Sequence, residues 1–124
     1  MDRSRVLIVD DEPALARALA RSIKRHHDAI ALTSGEEAIA RIAAGERFDV
    51  ILSDLMMPHV SGPDLYRRLL EIAPHQAERV VFLSGGVFTP EARAFLDGVP
   101  NRRIDKPCEP AALLAVIAEV SRRG

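Results

Sequence analysis

Two periods alternate along this chain. The first apolar run, Val6 to Val9, is β-branched and unbroken, the pattern of a strand buried on both faces. A helical period follows: Pro13 suits a first turn, with Asp11 or Glu12 near the N-terminus. Leu15, Ala18, Leu19, Ser22 and Ile23 then face inward, and Arg17, Arg21, Lys24 and Arg25 form an outward stripe. Ala29 to Thr33 is the second strand. Ser34 can cap a helix carrying Ala38, Ile39 and Ile42, which Gly45 ends. Phe48 to Ser53 is the third strand. Ser61-Gly62-Pro63 opens a helix with Leu65, Leu69 and Ile72 inward, stopped near Pro74. Arg79 to Ser84 is the fourth strand, with Gly85-Gly86 a permissive turn after it. Thr89-Pro90-Glu91 starts a short helix through Ala92, Phe95 and Leu96. Arg102 to Asp105 is a brief, polar fifth strand suited to an edge. Glu109-Pro110 opens the last helix, with Leu113, Val116, Ile117 and Val120 inward.

Five strands alternating with five helices make an α/β domain, a parallel sheet covered on both faces. Right-handed crossovers and one reversal of strand order put strands one and three side by side, as in the flavodoxin-like order 2-1-3-4-5. A length of 124 residues suits one domain over 1–124, without linker or repeat. Lys plus Arg is 17 and Asp plus Glu 18, so charge gives no reason to expect nucleic acid as a partner. The single cysteine, Cys108, excludes an internal disulfide and reads as a small packing residue. No apolar run approaches the roughly 20 residues of a membrane span. The start, Met1 to Arg5, leaves no room for a signal peptide, so the cytoplasm is the expected compartment.

Chemistry enters where strands end. Asp10 and Asp11 follow the first run, Asp54 stands alone after the third, and Lys106-Pro107 follows the fifth. Open α/β sheets place their sites at the C-terminal mouth of such strands. Three carboxylates there repel one another or recruit a cation, and Mg²⁺ fits two carboxylates plus a backbone carbonyl. Lys106 supplies a fixed counter-charge, and Ser84 offers a hydroxyl at the end of strand four. Asp54 is the best candidate nucleophile on phosphorus, forming an aspartyl phosphate, with Asp10-Asp11 as the metal platform.

The acid pair Asp10-Asp11, the lone Asp54 before Leu55-Met56-Met57-Pro58, Ser84-Gly85 and Lys106-Pro107 together resemble the response-regulator receiver domain over essentially the whole chain. The resemblance implies that Asp54 accepts a phosphoryl group from a phosphohistidine on a histidine kinase or phosphotransfer protein. It implies Mg²⁺ held by Asp11, Asp54 and the Met56 carbonyl, with Asp10 on a metal-bound water. Lys106 and Ser84 would contact the phosphoryl oxygens. Such a module phosphorylates and dephosphorylates itself and is not a turnover enzyme in the usual sense. The stretch Val81 to Pro90, with Ala94-Phe95-Leu96, is similar to receivers at the C-terminus of hybrid histidine kinases.

Two positions depart from the family pattern. Arg103 stands where Tyr or Phe is usual, and Cys108 where a large apolar residue follows Lys-Pro. Arg103 is therefore expected to stay exposed at a partner surface, with phosphorylation read through the strand-four loop. His26, His27, His59 and His75 are expected to face solvent, without ligand spacing. Two rival functions remain. A haloacid-dehalogenase-like phosphohydrolase would place its nucleophile after strand one, which Asp10 and Glu12 half-match. A degenerate receiver would serve only as an interaction module. A flavin mononucleotide carrier is disfavoured, because its phosphate loop needs donors after strand one.

Overall fold

A computed structural model describes residues 3–85, 89–106 and 108–122. Gly86, Val87, Phe88 and Pro107, which the sequence reading used, lie outside the described residues. The elements run β1 (Arg5–Val9), α1 (Pro13–Ile23), β2 (Asp28–Leu32), α2 (Gly35–Ala43), β3 (Val50–Asp54) and α3 (Gly62–Ile72). They continue with α4 (Pro74–Ala77), β4 (Val80–Ser84), α5 (Pro90–Asp97), β5 (Arg103–Asp105) and α6 (Pro110–Ser121). All strand pairs are parallel, in the order β2-β1-β3-β4-β5. The fold is the five-stranded, flavodoxin-like α/β sheet expected from the alternation of periods.

Strand side chains alternate between two cores, because successive residues of a strand point to opposite faces. Leu7, Val9, Ile51 and Phe82 pack with Ala38 and Ile42 of α2, Leu65 and Leu69 of α3 and Leu96 of α5. Val6, Ile8, Leu52 and Leu83 pack on the other face with Leu19 and Ile23 of α1 and Leu113 and Ile117 of α6. Every residue of β3 and β4 is buried, which explains why those runs read as continuous rather than alternating. Tyr66, Phe82 and Phe95 meet edge to face, with ring centroids 5.3 to 6.0 Å apart, and pin α3 and α5 to β4.

Four details differ from the sequence reading. The helix α4 is additional, making six among the described residues: Pro74 ends one helix and opens another, since proline is tolerated in a first turn. Its Gln76 is buried and clasps Phe48, accepting from the backbone N–H at 2.9 Å and donating to the carbonyl at 3.1 Å. Those bonds hold Phe48 outside β3, which begins at Val50 and extends to Asp54. On α1 the fully inward residues are Ala16, Leu19 and Ile23, while Leu15, Ala18 and Ser22 are half-buried.

The fourth difference is His27, expected in solvent and found buried. Its Nδ1 accepts the Ser4 backbone N–H at 3.1 Å. Burial, then the neighbouring charges of His26 and Arg3, push its pKa below the ordinary 6.5. His26, His59 and His75 are exposed.

Candidate functional site

The strand order places the ends of β1 and β3 side by side, with β4 and β5 beyond. Val9 is in register with Ser53, Asp54 with Leu83, and Ser84 with Asp105, so the residues that follow these strands share one mouth. Backbone bonds fix the strand ends that carry Asp10, Asp54 and Lys106. Asp10 donates its N–H to Leu32 O at 3.1 Å, continuing the β1–β2 ladder. Asp54 closes β3, and the following Leu55 N–H reaches Leu83 O at 3.0 Å. Lys106 donates its N–H to Ser84 O at 2.7 Å, tying the end of β5 to that of β4.

Side chains converge from those anchors. Carboxylate oxygens of Asp10, Asp11 and Asp54 lie within 4.8 Å of one another. Lys106 Nζ stands 3.0 Å from Asp54 Oδ1 and 3.2 Å from Asp10 Oδ2. Asp10 is fully buried, with its other oxygen accepting the Glu12 N–H at 3.0 Å. Asp54 keeps a 7% opening to solvent and Asp11 is half-buried. Ser84 is buried at the end of β4, and Met56 exposes its side chain just beyond Asp54.

Burial pushes the Asp54 carboxyl up to about 6; Lys106 pulls the other way, and the charges of Asp10 and Asp11 add to the rise. For Lys106, burial alone would lower the pKa, but hydrogen bonds and charge from Asp54 and Asp10 raise it. The lysine is a permanent cation here, and the three acids hold more negative charge than it neutralises. A hard divalent ion with oxygen ligands fits that excess and that donor set.

The loop leaving Asp54 is bent by a γ-turn, in which Val60 N–H reaches Pro58 O at 2.7 Å around His59 at φ 67°. Gly62 then comes back against the strand end, donating to Leu55 O at 2.9 Å. A Cβ on Gly62 would stand 2.8 Å from Asp54 O and 3.0 Å from Leu55 Cα. Sequence reading took Gly62 as a helix opener and missed this approach; its position directly after the Ser61 cap was the available signal. Cys108 packs half-buried beside the α1–α6 core, with its thiol pKa raised by burial. Arg103 is exposed, 3.8 Å from Asp97 of α5.

Comparison with known proteins gives a consistent result. The family model for the response regulator receiver domain matches residues 6–118. The transcriptional regulatory protein TcrA of Mycobacterium tuberculosis is 29% identical over 97% of this chain and 47% of its own length. The sensory/regulatory protein RpfC of Xanthomonas campestris is 30% identical over 94% of this chain and 16% of its own. Among solved structures, the signal receiver domain of a signal transduction histidine kinase from Syntrophus aciditrophicus superposes with a TM-score of 0.82. That structure is 26% identical, over 97% of this chain and 91% of that one. The chain spans about half the length, or less, of the curated relatives it matches.

Proposed function

Because the chain belongs to the response regulator receiver domain family of two-component signalling, we propose that it is a phosphoacceptor switch loaded at Asp54. The donor is a phosphohistidine on a histidine kinase or a histidine phosphotransfer protein. The observation that carries this reading is the Lys106 ammonium, 3.0 Å from Asp54 and 3.2 Å from Asp10, at the edge of a three-carboxylate cluster.

A carboxylate oxygen of Asp54 attacks phosphorus, and the P–N bond to the donor imidazole breaks. The bond's electron pair stays on the imidazole nitrogen, and Asp54 becomes an acyl phosphate. Asp10 is the poorer acceptor, because it is fully buried with both oxygens engaged. Lys106 and the Ser84 hydroxyl receive phosphoryl oxygens. Asp11, Asp54 and the Met56 carbonyl would hold Mg²⁺, with Asp10 on a metal-bound water, and the bound ion neutralises phosphoryl charge.

Phosphorylation puts about −1.5 to −2 charges where one stood, and so biases the loops around the mouth. Arg103 stays at the surface in this reading, so the β4–α5 loop carries the signal to a partner. Residues 1–124 act as one receiver domain in the cytoplasm, and the likeness to a histidine kinase's receiver favours a hybrid-kinase origin. Phosphotransfer profiling against the histidine kinases of the source genome tests the reading. One kinase should label the chain in seconds with Mg²⁺ present and leave Asp54→Asn unlabelled. Labelling by none, with an intact fold, would return the chain to the interaction-module alternative.

A further inference from the structure

At the opposite end of the sheet from the acidic mouth, a cavity of about 430 Å³ opens among Arg3, Ser4, His27, Asp49, Ser121 and Arg122. These residues come from the segments before β1 and β3, from the end of α1 and from the end of α6. The volume lies in the range of small-molecule sites, roughly 300–1,000 Å³.

Its polar groups are fixed by the fold yet hold unused capacity. His27 is 5% exposed, and its Nδ1 accepts the Ser4 N–H, so the neutral ring carries its proton on Nε2. That N–H has no partner among the described residues, in a ring that lines the cavity. The Nε2 atom is open to the cavity's solvent, so an acceptor on a ligand can reach it. Arg3 spends four of its five N–H groups, on Asp28 Oδ1 at 3.1 Å and on the carbonyls of Lys24, Arg25 and His27, and keeps one on Nη1. Arg122 spends only its Nε, on Ala118 O at 3.2 Å, and keeps its terminal amino groups for the cavity. Against these three donors stands one acid, Asp49, whose Oδ2 already accepts the Arg5 N–H at 2.7 Å. The Ser4 and Ser121 hydroxyls bond to each other at 2.8 Å, a pair able to donate one proton outward.

We propose that this cavity binds a small hydroxylated organic phosphate. Donors lining one cavity from three chain segments suit a tetrahedral oxyanion better than a planar carboxylate, which a single arginine fork would grip. The phosphate lies against Arg122, Arg3 and the His27 Nε2–H. A ligand hydroxyl meets the free oxygen of Asp49 and the serine pair. Nothing in the site draws on Asp54, Asp10, Asp11 or Lys106, so it is a second site on the domain.

Amide and imidazole NMR of the whole chain tests the proposal, with glycerol 3-phosphate, inorganic phosphate and glycerol as probes. Glycerol 3-phosphate should give saturable shifts at Ser4, His27, Asp49, Ser121 and Arg122. The spectrum at Asp54 and Lys106 should stay unmoved. Inorganic phosphate should bind the same residues more weakly, and glycerol not at all. Arg122→Gln, an exposed change, should weaken binding about tenfold, the worth of one charge-assisted hydrogen bond, while leaving labelling of Asp54 intact. Shifts centred on the acidic mouth, no saturation, an unaltered affinity in Arg122→Gln, or glycerol binding as well as its phosphate would each overturn it.

Discussion

At the scale of single residues, Asp54 is held in an environment that works against its charge. Between its ordinary 3.8 and about 6, the folded chain keeps a proton that the unfolded chain releases, so stability falls as pH rises through that window. Asp54→Asn removes the penalty and should raise stability at neutral pH by about 1–3 kcal/mol, with the gain vanishing near pH 4; urea denaturation at both pH values checks it. His27 has the opposite sign. Its lowered pKa means the folded chain resists protonation, so stability is lost as pH falls below 6.5. Lys106→Ala takes the only cation from within 4 Å of Asp54 among the described ion pairs. It should push the Asp54 carboxyl above about 6 and slow phosphoryl acceptance at least tenfold. Calorimetry should show Mg²⁺ binding largely kept. Asp10, Asp11 and Asp54 were legible in the sequence because they follow apolar runs, and Lys106 because it follows the polar edge strand and precedes a proline. His27 was not: a histidine after a basic helix end reads as solvated, and only the return of Ser4 alongside it covers the ring.

Among the elements, the segment from Asp54 to α3 carries the most constraint. A γ-turn at His59 and the approach of Gly62 to the Asp54 carbonyl fold the loop back on the strand that presents the acceptor. Gly62→Ala must move Asp54 or Leu55 backbone, because the atoms it meets are not flexible side-chain ends. We expect a loss of about 1–3 kcal/mol and a drop in phosphoryl acceptance larger than the stability loss explains, measured as labelling rate at a temperature where the variant is folded. On the same face of the sheet, the Tyr66–Phe82–Phe95 cluster fastens α5 where the family pattern would have an aromatic on β5. Arg103 instead pairs loosely with Asp97 in solvent. Arg103→Ala should therefore leave the labelling rate unchanged within about twofold, since exposed pairs contribute little. The helix α4 was hidden from sequence reading by the double meaning of Pro74, which stops one helix and starts the next. Gln76, buried to satisfy the Phe48 backbone, gave no periodic signal at all.

For the whole molecule, strand order is what makes a site from residues 96 positions apart, as Asp10 and Lys106 are. The alternation of buried runs and amphipathic helices made the parallel sheet legible, and right-handed crossovers limited its order. The N-terminal cavity was not legible, because its walls come from four segments that share no motif and meet only on folding. The acidic mouth is the opposite case, with one chemical type repeated at one structural position. The central claim is that this mouth loads phosphate on Asp54. Treating the chain with a small-molecule phosphodonor and Mg²⁺, then mapping the label by mass spectrometry, tests it most directly. A single acyl phosphate on Asp54, not formed when the metal is chelated beforehand and absent from Asp54→Asn, is the outcome this account requires. Label on Asp10, or label on Asp54 that forms equally well without a divalent ion, would contradict it.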